Sequence, residues 1–337
     1  MSRPDAEVVG AGVAGLTAAL TLAERGARVT VYDRSTTLGA EAASWLAGGM
    51  LAPWCEMESA DASIVAPGLA AIDWWAERVP ELRRTGTLVV APARDAADLK
   101  RFLRMTRTGV ELDAEGVAAL EPELADRFRR GIHYAGEAWL DPRRALAALA
   151  DRVVNLGGEI RLGTAADPSD LAADTIVDCR GIAAADGTTP AGRGLRSVRG
   201  EMFLLHAPEV TLHRAVRLLH PRIPLYIVPR GDHVFMIGAT MIESDSSRPM
   251  TLRSAVDLLN AAYAVHPGFA EASILEQGAG RRPAYADNLP RVERHGRLVS
   301  INGFYRHGFL LAPSLAEKAA DMIMDTADTT HSIGPST

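Results

Sequence analysis

Gly10-Ala11-Gly12-Val13-Ala14-Gly15 follows directly on the apolar run Ala6-Glu7-Val8-Val9. An acid, Asp33, closes the next apolar run roughly twenty residues on. No other feature constrains the fold as tightly. Gly10 permits a tight strand-to-helix turn, Gly12 lets backbone approach a pyrophosphate, and Gly15 lets the helix pack close to the strand. The helix that starts there points free N–H groups and its positive end at the phosphates. Asp33 would accept hydrogen bonds from ribose hydroxyls and repel a 2′-phosphate, which argues against NADP. The residues therefore predict a dinucleotide held near the N-terminus. A plain glycine-rich turn is the rival reading, and strand, helix and acid in this order weigh against it.

Leu16, Ala19, Leu20 and Ala23 fall at helical spacing, and Arg28-Val29-Thr30-Val31-Tyr32 alternates into a second strand, so residues 5–33 read as a parallel βαβ opening. The small, glycine-bearing stretch 42–51 suits backbone lying against a flat ligand. A helix is expected over 63–79, a strand at Thr87-Leu88-Val89-Val90, and polar helices after Asp95 and Asp113. Asp141-Pro142 starts a helix that Gly157-Gly158 ends, followed by short strands at 159–162 and 175–179. The runs 201–205, 215–219, 225–228 and 234–237, separated by turn residues, read as an antiparallel sheet. A helix over 254–265 crosses it, and a strand at 298–301 and a helix from Pro313 to about Asp325 complete the chain. The fold class is α/β with an α+β portion.

A chain of 337 residues with 47% apolar residues holds an ample core. A net charge of -6, a pI near 5.9 and scattered arginines give no footprint for nucleic acid. Cys55 and Cys179 are far apart and form no CxxC, so neither a disulfide framework nor a zinc site is indicated, and no metal is expected. A reducing cytoplasm is the simplest home. The apolar stretch from Val8 to Ala23 has no basic leader region and carries glycines at phosphate-loop spacing, which argues against a signal peptide. No run reaches the length of a membrane span.

Further blocks follow in order: Ser44 and then Gly48-Gly49-Met50-Leu51-Ala52; Tyr226-Ile227-Val228-Pro229-Arg230; Gly238-Ala239-Thr240-Met241; Gly280-Arg281-Arg282-Pro283; and Phe304-Tyr305-Arg306-His307-Gly308-Phe309-Leu310-Leu311-Ala312-Pro313. Together with Gly10 to Gly15 they span nearly the whole chain. In this order they resemble the FAD-dependent amino-acid oxidases of the D-amino-acid oxidase type, and within them the glycine oxidases of thiamin biosynthesis. The resemblance implies a Rossmann-like FAD-binding domain (1–79, 141–194 and 278–330) and an interleaved antiparallel-sheet substrate-binding domain (80–140 and 195–277), with a flexible tail at 331–337.

The resemblance implies non-covalent FAD. It carries Val13 and Ala14 to the phosphate loop, and Asp33 and Arg34 to the adenosine end. Ala43, Ser44, Gly48, Gly49 and Met50 go to the pyrophosphate and flavin. Ala166 falls where backbone meets adenine, and Gly181 closes a strand that approaches the cofactor. Cys179 reads as a buried small hydrophobe; Cys55 carries no assigned role. Arg282 is the candidate carboxylate clamp, since a guanidinium meets both carboxylate oxygens in one plane. The following proline favours it over Arg281; the bland alternative is a surface arginine. Tyr226 would donate its phenol to the same carboxylate, or sit at the core edge. Met241 would line the substrate pocket, or belong to the core. Arg306 would offer a backbone carbonyl to the substrate amine, or pair with an acid. His307, Gly308, Phe309 and Leu310 would run under the flavin, their N–H groups steadying negative charge on the reduced ring. His307 reads otherwise as a loop histidine rather than a base.

What these assignments imply is oxidative deamination of glycine and other small amines or D-amino acids, with no side-chain acid or base demanded. Dioxygen would be the acceptor, and a thiazole-forming enzyme would consume the imine. A homo-oligomer is expected. Rivals are a D-amino-acid or imino-acid dehydrogenase with another acceptor, and a non-catalytic flavin-binding module, which needs no arginine–tyrosine pair.

Overall fold

The structure, a computed structural model, describes residues 4–220 and 225–330, with side chains through residue 324. The stretch 331–337, expected as a tail, lies outside the described residues. In chain order the elements begin β1 (Asp5–Val9), α1 (Val13–Glu24), β2 (Arg28–Tyr32), β3 (Met50–Leu51), α2 (Pro53–Glu56), α3 (Val65–Arg78), β4 (Thr87–Val90), α4 (Ala96–Thr106), β5 (Val110–Leu112) and α5 (Ala114–Leu120). Next come β6 (Gly131–Tyr134), β7 (Ala138–Trp139), α6 (Pro142–Asn155), β8 (Glu159–Arg161), β9 (Thr175–Asp178), β10 (Arg196–His206), β11 (Ala215–Leu218) and β12 (Leu225–Pro229). The last are β13 (Val234–Gly238), β14 (Ile242–Glu243), α7 (Leu252–Val265), β15 (Ser273–Ala284), β16 (Arg291–His295), β17 (Leu298–Asn302) and α8 (Gly308–Thr330).

The chain forms two compact units. One comprises Met1–Trp45, Arg143–Val198 and Arg282–Thr337; the other comprises Leu46–Pro142 and Arg199–Arg281. Residues 46–79, read from sequence with the nucleotide-binding part, cluster with the second unit. β3 pairs there with β7, Met50 opposite Trp139, which ties the stretch to the 80–140 region.

The first unit holds a sheet of order β16-β17-β9-β1-β2-β8. Its strands run parallel except β16, which returns antiparallel to β17. Chain leaves β1 for β2 on one side and reaches β9 on the other, so the strand order reverses at β1, where open α/β sheets bind ligands. α1 is buried on nearly every side because it also packs along α8. That is why its sequence is apolar all round rather than amphipathic. Leu16, Leu20 and Leu22 are each fully buried, worth roughly 1.5–3 kcal/mol apiece. Arg25 then bonds Glu317 and Asp321 of α8 at the exposed end.

α8 starts at Gly308, not at the proline where the sequence placed it. Proline is favoured at a first helical position, which made Pro313 look like the start. The preceding turn is helical nonetheless, because Phe309, Leu310, Leu311 and Ala312 are all buried and their packing outweighs the lost N–H.

The second unit is built on a nine-stranded sheet, β14-β10-β13-β12-β11-β4-β6-β5, with β15 also on β10. Phe203 and Leu205, Val216 and Leu218, and Phe235 and Ile237 sit two apart and share one face, where Leu258 and Val265 of α7 meet them. Val89 and Ile132 face Leu99 and Phe102 of α4. β5 and β15 carry mostly exposed or half-buried residues, and their sequences show no apolar alternation to announce a strand.

Candidate functional site

In the first unit the candidate residues gather at the carboxyl ends of β1, β2, β9 and β17. Gly10 has φ +105°, and a Cβ there would lie 2.6 Å from the carbonyl oxygen of Cys179. A Cβ at Gly15 would lie 1.7 Å from the carbonyl oxygen of Gly10. The turn therefore closes only with glycine at both places. Gly12 caps α1 and has no side chain to bond the first N–H groups. The hydroxyl of Ser44 accepts from the Val13 N–H at 3.3 Å. Ala43 and Ser44 lie in one 3₁₀ turn, and Ala14 is half-buried in the first turn of α1.

Asp33 accepts the Ala11 N–H at 2.6 Å through Oδ2 and the Ser35 N–H at 2.8 Å through Oδ1. A carboxylate offers about four lone-pair sites, so two remain for ribose. Arg34 pairs with Glu41 in the open. The Gly163 and Thr164 N–H groups donate to the carbonyls of Ser35 and Asp33, which brings the strand end before half-buried Ala166 beside the acid.

A second convergence lies in the same unit. Gly181 has φ +59°, and its carbonyl accepts from the Asn302 amide at 2.9 Å. The Tyr305 N–H donates to the Pro283 carbonyl at 2.7 Å, and Ala284 bridges Phe304. The backbone bearing Arg282 thus runs beside that bearing Arg306, and both side chains are half-buried, so neither is a fully exposed surface arginine. Arg281 reaches the carbonyl of Asp245, within the second unit. His307 is 3% exposed. Its N–H donates to the Phe304 carbonyl and its own carbonyl accepts from Leu311. It lies in the loop directly before α8, which begins one residue later. A Cβ at Gly308 would lie 3.2 Å from Val13, so α1 and α8 begin side by side and present two positive helix ends together. Phe309 and Leu310 lie buried in the first turn of α8.

In the second unit Tyr226 is half-buried on β12, opposite Arg217 and Gly238. Its ring lies against Gly48 and its hydroxyl near Gly238. Met241 is 45% exposed and is no core residue. Gly49 accepts the Leu140 N–H, and Met50 starts β3. Sequence reasoning missed Arg230. Its side chain is buried and donates to the carbonyls of Gly48 at 2.8 Å and of Ala47 and Leu140 at 3.3 Å, with Asp141 at 3.8 Å. Only its place directly after the Tyr226 strand could have flagged it. Glu137 was missed too. Its buried carboxylate accepts the Cys55 N–H at 2.9 Å, and burial pushes the acid up to about 7, against the lowering effect of bonds from Thr87 and Cys55. Burial likewise raises both thiols, Cys55 and Cys179, so neither is a ready nucleophile. Among the described residues no acidic or histidine cluster could hold a metal, and no helix is long and apolar enough to cross a membrane.

A glycine turn that a Cβ would fill, a helix start whose cap residue is glycine, and an acid at the end of β2 fit the pyrophosphate and ribose of FAD. The fold and these residues define a dinucleotide-binding protein. The family described as DAO, FAD dependent oxidoreductase, matches residues 5–322, and the chain belongs to it. The enzyme therefore uses FAD. A Rhizobium etli protein named "Putative thiamine biosynthesis oxidoreductase ThiO" is 54% identical over 318 residues, 94% of this chain and 95% of that one. The glycine oxidase of Geobacillus kaustophilus is 28% identical over 369 residues, 99% of this chain and 96% of its own. The crystal structure of glycine oxidase from that organism superposes with a TM-score of 0.82, covering 96% and 95% of the two chains at 26% identity.

Proposed function

We propose that this enzyme oxidises glycine and other small amines or D-amino acids, with dioxygen as acceptor. The observation that carries the reading is the run of Pro283 beside Tyr305, which sets Arg282 and Arg306 on adjacent backbone in the unit that holds the glycine turn. The names of the glycine oxidase and ThiO relatives support it.

In this reading the first unit holds FAD and supplies Arg282 and Arg306, and the second supplies Tyr226 and Met241. Arg282 takes both carboxylate oxygens of the substrate, and the phenol of Tyr226 donates to the same group. The carbonyl of Arg306 accepts from the amine, which is held neutral, and Met241 limits the room beyond Cα. Flavin, when bound, would supply the two-electron oxidant for the Cα–H bond, with dioxygen as the final acceptor and hydrogen peroxide as its product. The N–H groups of Ala14 and Gly15 would hold the pyrophosphate, and those of Gly308, Phe309 and Leu310 would steady the negative charge of the reduced ring. The resulting imine hydrolyses to glyoxylate and ammonia or is consumed by a thiazole-forming enzyme. We also place the protein in the cytoplasm as a homo-oligomer, which fractionation and light scattering check.

Mixing the purified yellow protein with glycine under anaerobic conditions tests the reading. Loss of the flavin absorbance, followed by peroxide release on admitting air, supports it. Reduction with dye turnover but no peroxide points to the dehydrogenase alternative. No reduction by glycine, sarcosine or small D-amino acids overturns the reading and leaves a flavin-binding module.

A further inference from the structure

Arg199 and Glu201 lie two residues apart on β10 and so share one face of the strand. Their side chains are 5% and 0% exposed. The Arg199 guanidinium meets Glu201 Oε1 at 2.7 and 3.0 Å, and its remaining N–H groups donate to the carbonyls of Ser246 at 2.8 Å and Pro249 at 3.0 Å. Glu201 in turn accepts the Thr240 hydroxyl at 3.1 Å, and its own N–H donates to that hydroxyl at 2.9 Å. One buried pair therefore grips the segment 240–249 near both ends.

That segment has little apolar anchorage of its own. Met241 is 45% and Ile242 38% exposed, and the residues after them are exposed or half-buried. The two-residue strand β14, the Thr240 N–H on the Glu201 carbonyl, the Arg281 bond to the Asp245 carbonyl and the clamp hold it. A buried ion pair is a poor device for stability alone, since a packed apolar pair of similar volume does as well or better. What an apolar pair cannot do is bond two carbonyls and a hydroxyl of a neighbouring segment at once. Lysine cannot do so either, because only the planar fork of arginine spans an acid and two carbonyls.

We propose that the Arg199–Glu201 pair is a positioning device that fixes the segment carrying Met241 and thereby sets which side chains the enzyme accepts beyond Cα. This rests on the functional reading above, in which Met241 limits substrate size. Neither residue is among those assigned above to substrate or flavin. A loosened segment yields room, so bulkier D-amino acids gain relative to glycine; a methylene in an apolar site is worth about tenfold or more.

The experiment compares wild type with Arg199→Lys and Thr240→Val. The second leaves the Arg199–Glu201 pair and its bonds to Ser246 and Pro249 intact and removes only the Thr240 hydroxyl that Glu201 holds, so it separates the proposal from a folding defect. Hydrogen–deuterium exchange over 238–251 and the ratio of kcat/KM for D-alanine or D-leucine to that for glycine are read on protein with full flavin content. Faster exchange confined to this segment, with the ratio rising about tenfold in both variants, is expected. Unchanged exchange overturns the proposal, as does faster exchange with an unchanged ratio. A wild type that holds FAD yet is not reduced by any of these acids overturns the functional reading itself, before any variant is made.

Discussion

The ring of Tyr226 rests on the bare Cα of Gly48, so close that a Cβ built there would lie 2.5 Å from Cε2 and 3.1 Å from Cζ. Arg230 fixes the other partner of this contact by donating to the Gly48 carbonyl at 2.8 Å. A methyl at position 48 must therefore push the tyrosine, not the backbone. Gly48→Ala is expected to lower kcat/KM for glycine about ten- to a hundredfold, matching 1–3 kcal/mol of overpacking. Tyr226→Phe keeps the ring and loses the phenol, so KM rises with flavin content unchanged. Steady-state peroxide assays check both.

Two glycines with positive or constrained backbone make opposite forecasts. Gly15→Ala sets a methyl 1.7 Å from the Gly10 carbonyl oxygen, and the protein is expected without flavin or insoluble. Gly26 has φ +93° but no heavy atom within 4 Å, so Gly26→Ala costs about 1 kcal/mol of stability and leaves the flavin-to-protein ratio intact. Absorbance ratios and thermal melts distinguish the outcomes.

Neighbouring residues on a strand face opposite ways, so only one of Arg281 and Arg282 can serve the substrate carboxylate. Arg281 already reaches the Asp245 carbonyl. Arg282→Met is expected to lower kcat/KM by about 10²–10⁴, the loss of two charge-assisted bonds, while Arg281→Met changes it less than about threefold. Equal losses would sink the assignment of position 282.

Glu137 makes stability depend on pH. Its carboxyl is held near 7 in the fold, chiefly by burial, against an ordinary value of 4.5. Between those values the folded chain binds more protons than the unfolded chain. The contribution is thus fully present below 4.5 and falls away as pH rises to 7, by roughly 3 kcal/mol. Glu137→Gln keeps an acceptor for the Cys55 N–H and flattens the stability curve across that window. Thermal unfolding at pH 5 and pH 8 checks this; an unchanged slope refutes it.

The glycine turn, α1, β2 and the strands β4, β10, β11, β12 and β13 of the second unit were legible because each announces itself locally, by turn chemistry or by period. Gly15 and Asp33 could be placed from spacing alone. Arg230, Glu137 and the Arg199–Glu201 pair could not, since their roles depend on partners between 39 and 183 residues away in sequence. The start of α8 was misjudged because Pro313 gives a strong local signal, and only the burial of Phe309 to Ala312 overrides it. The strand β15 was silent because its residues are half-buried and mixed in polarity.

The sheet of the first unit sets β17 between β16 and β9, and α8 against α1. The turn that opens the chain is thus finished by segments made last. At about 5–20 residues per second the ribosome needs roughly 15–60 s to deliver them. Until then the emerging amino-terminal βαβ lacks its covering helix, so nascent chains stalled before residue 298 should seek chaperones and remain colourless, whatever the supply of cofactor.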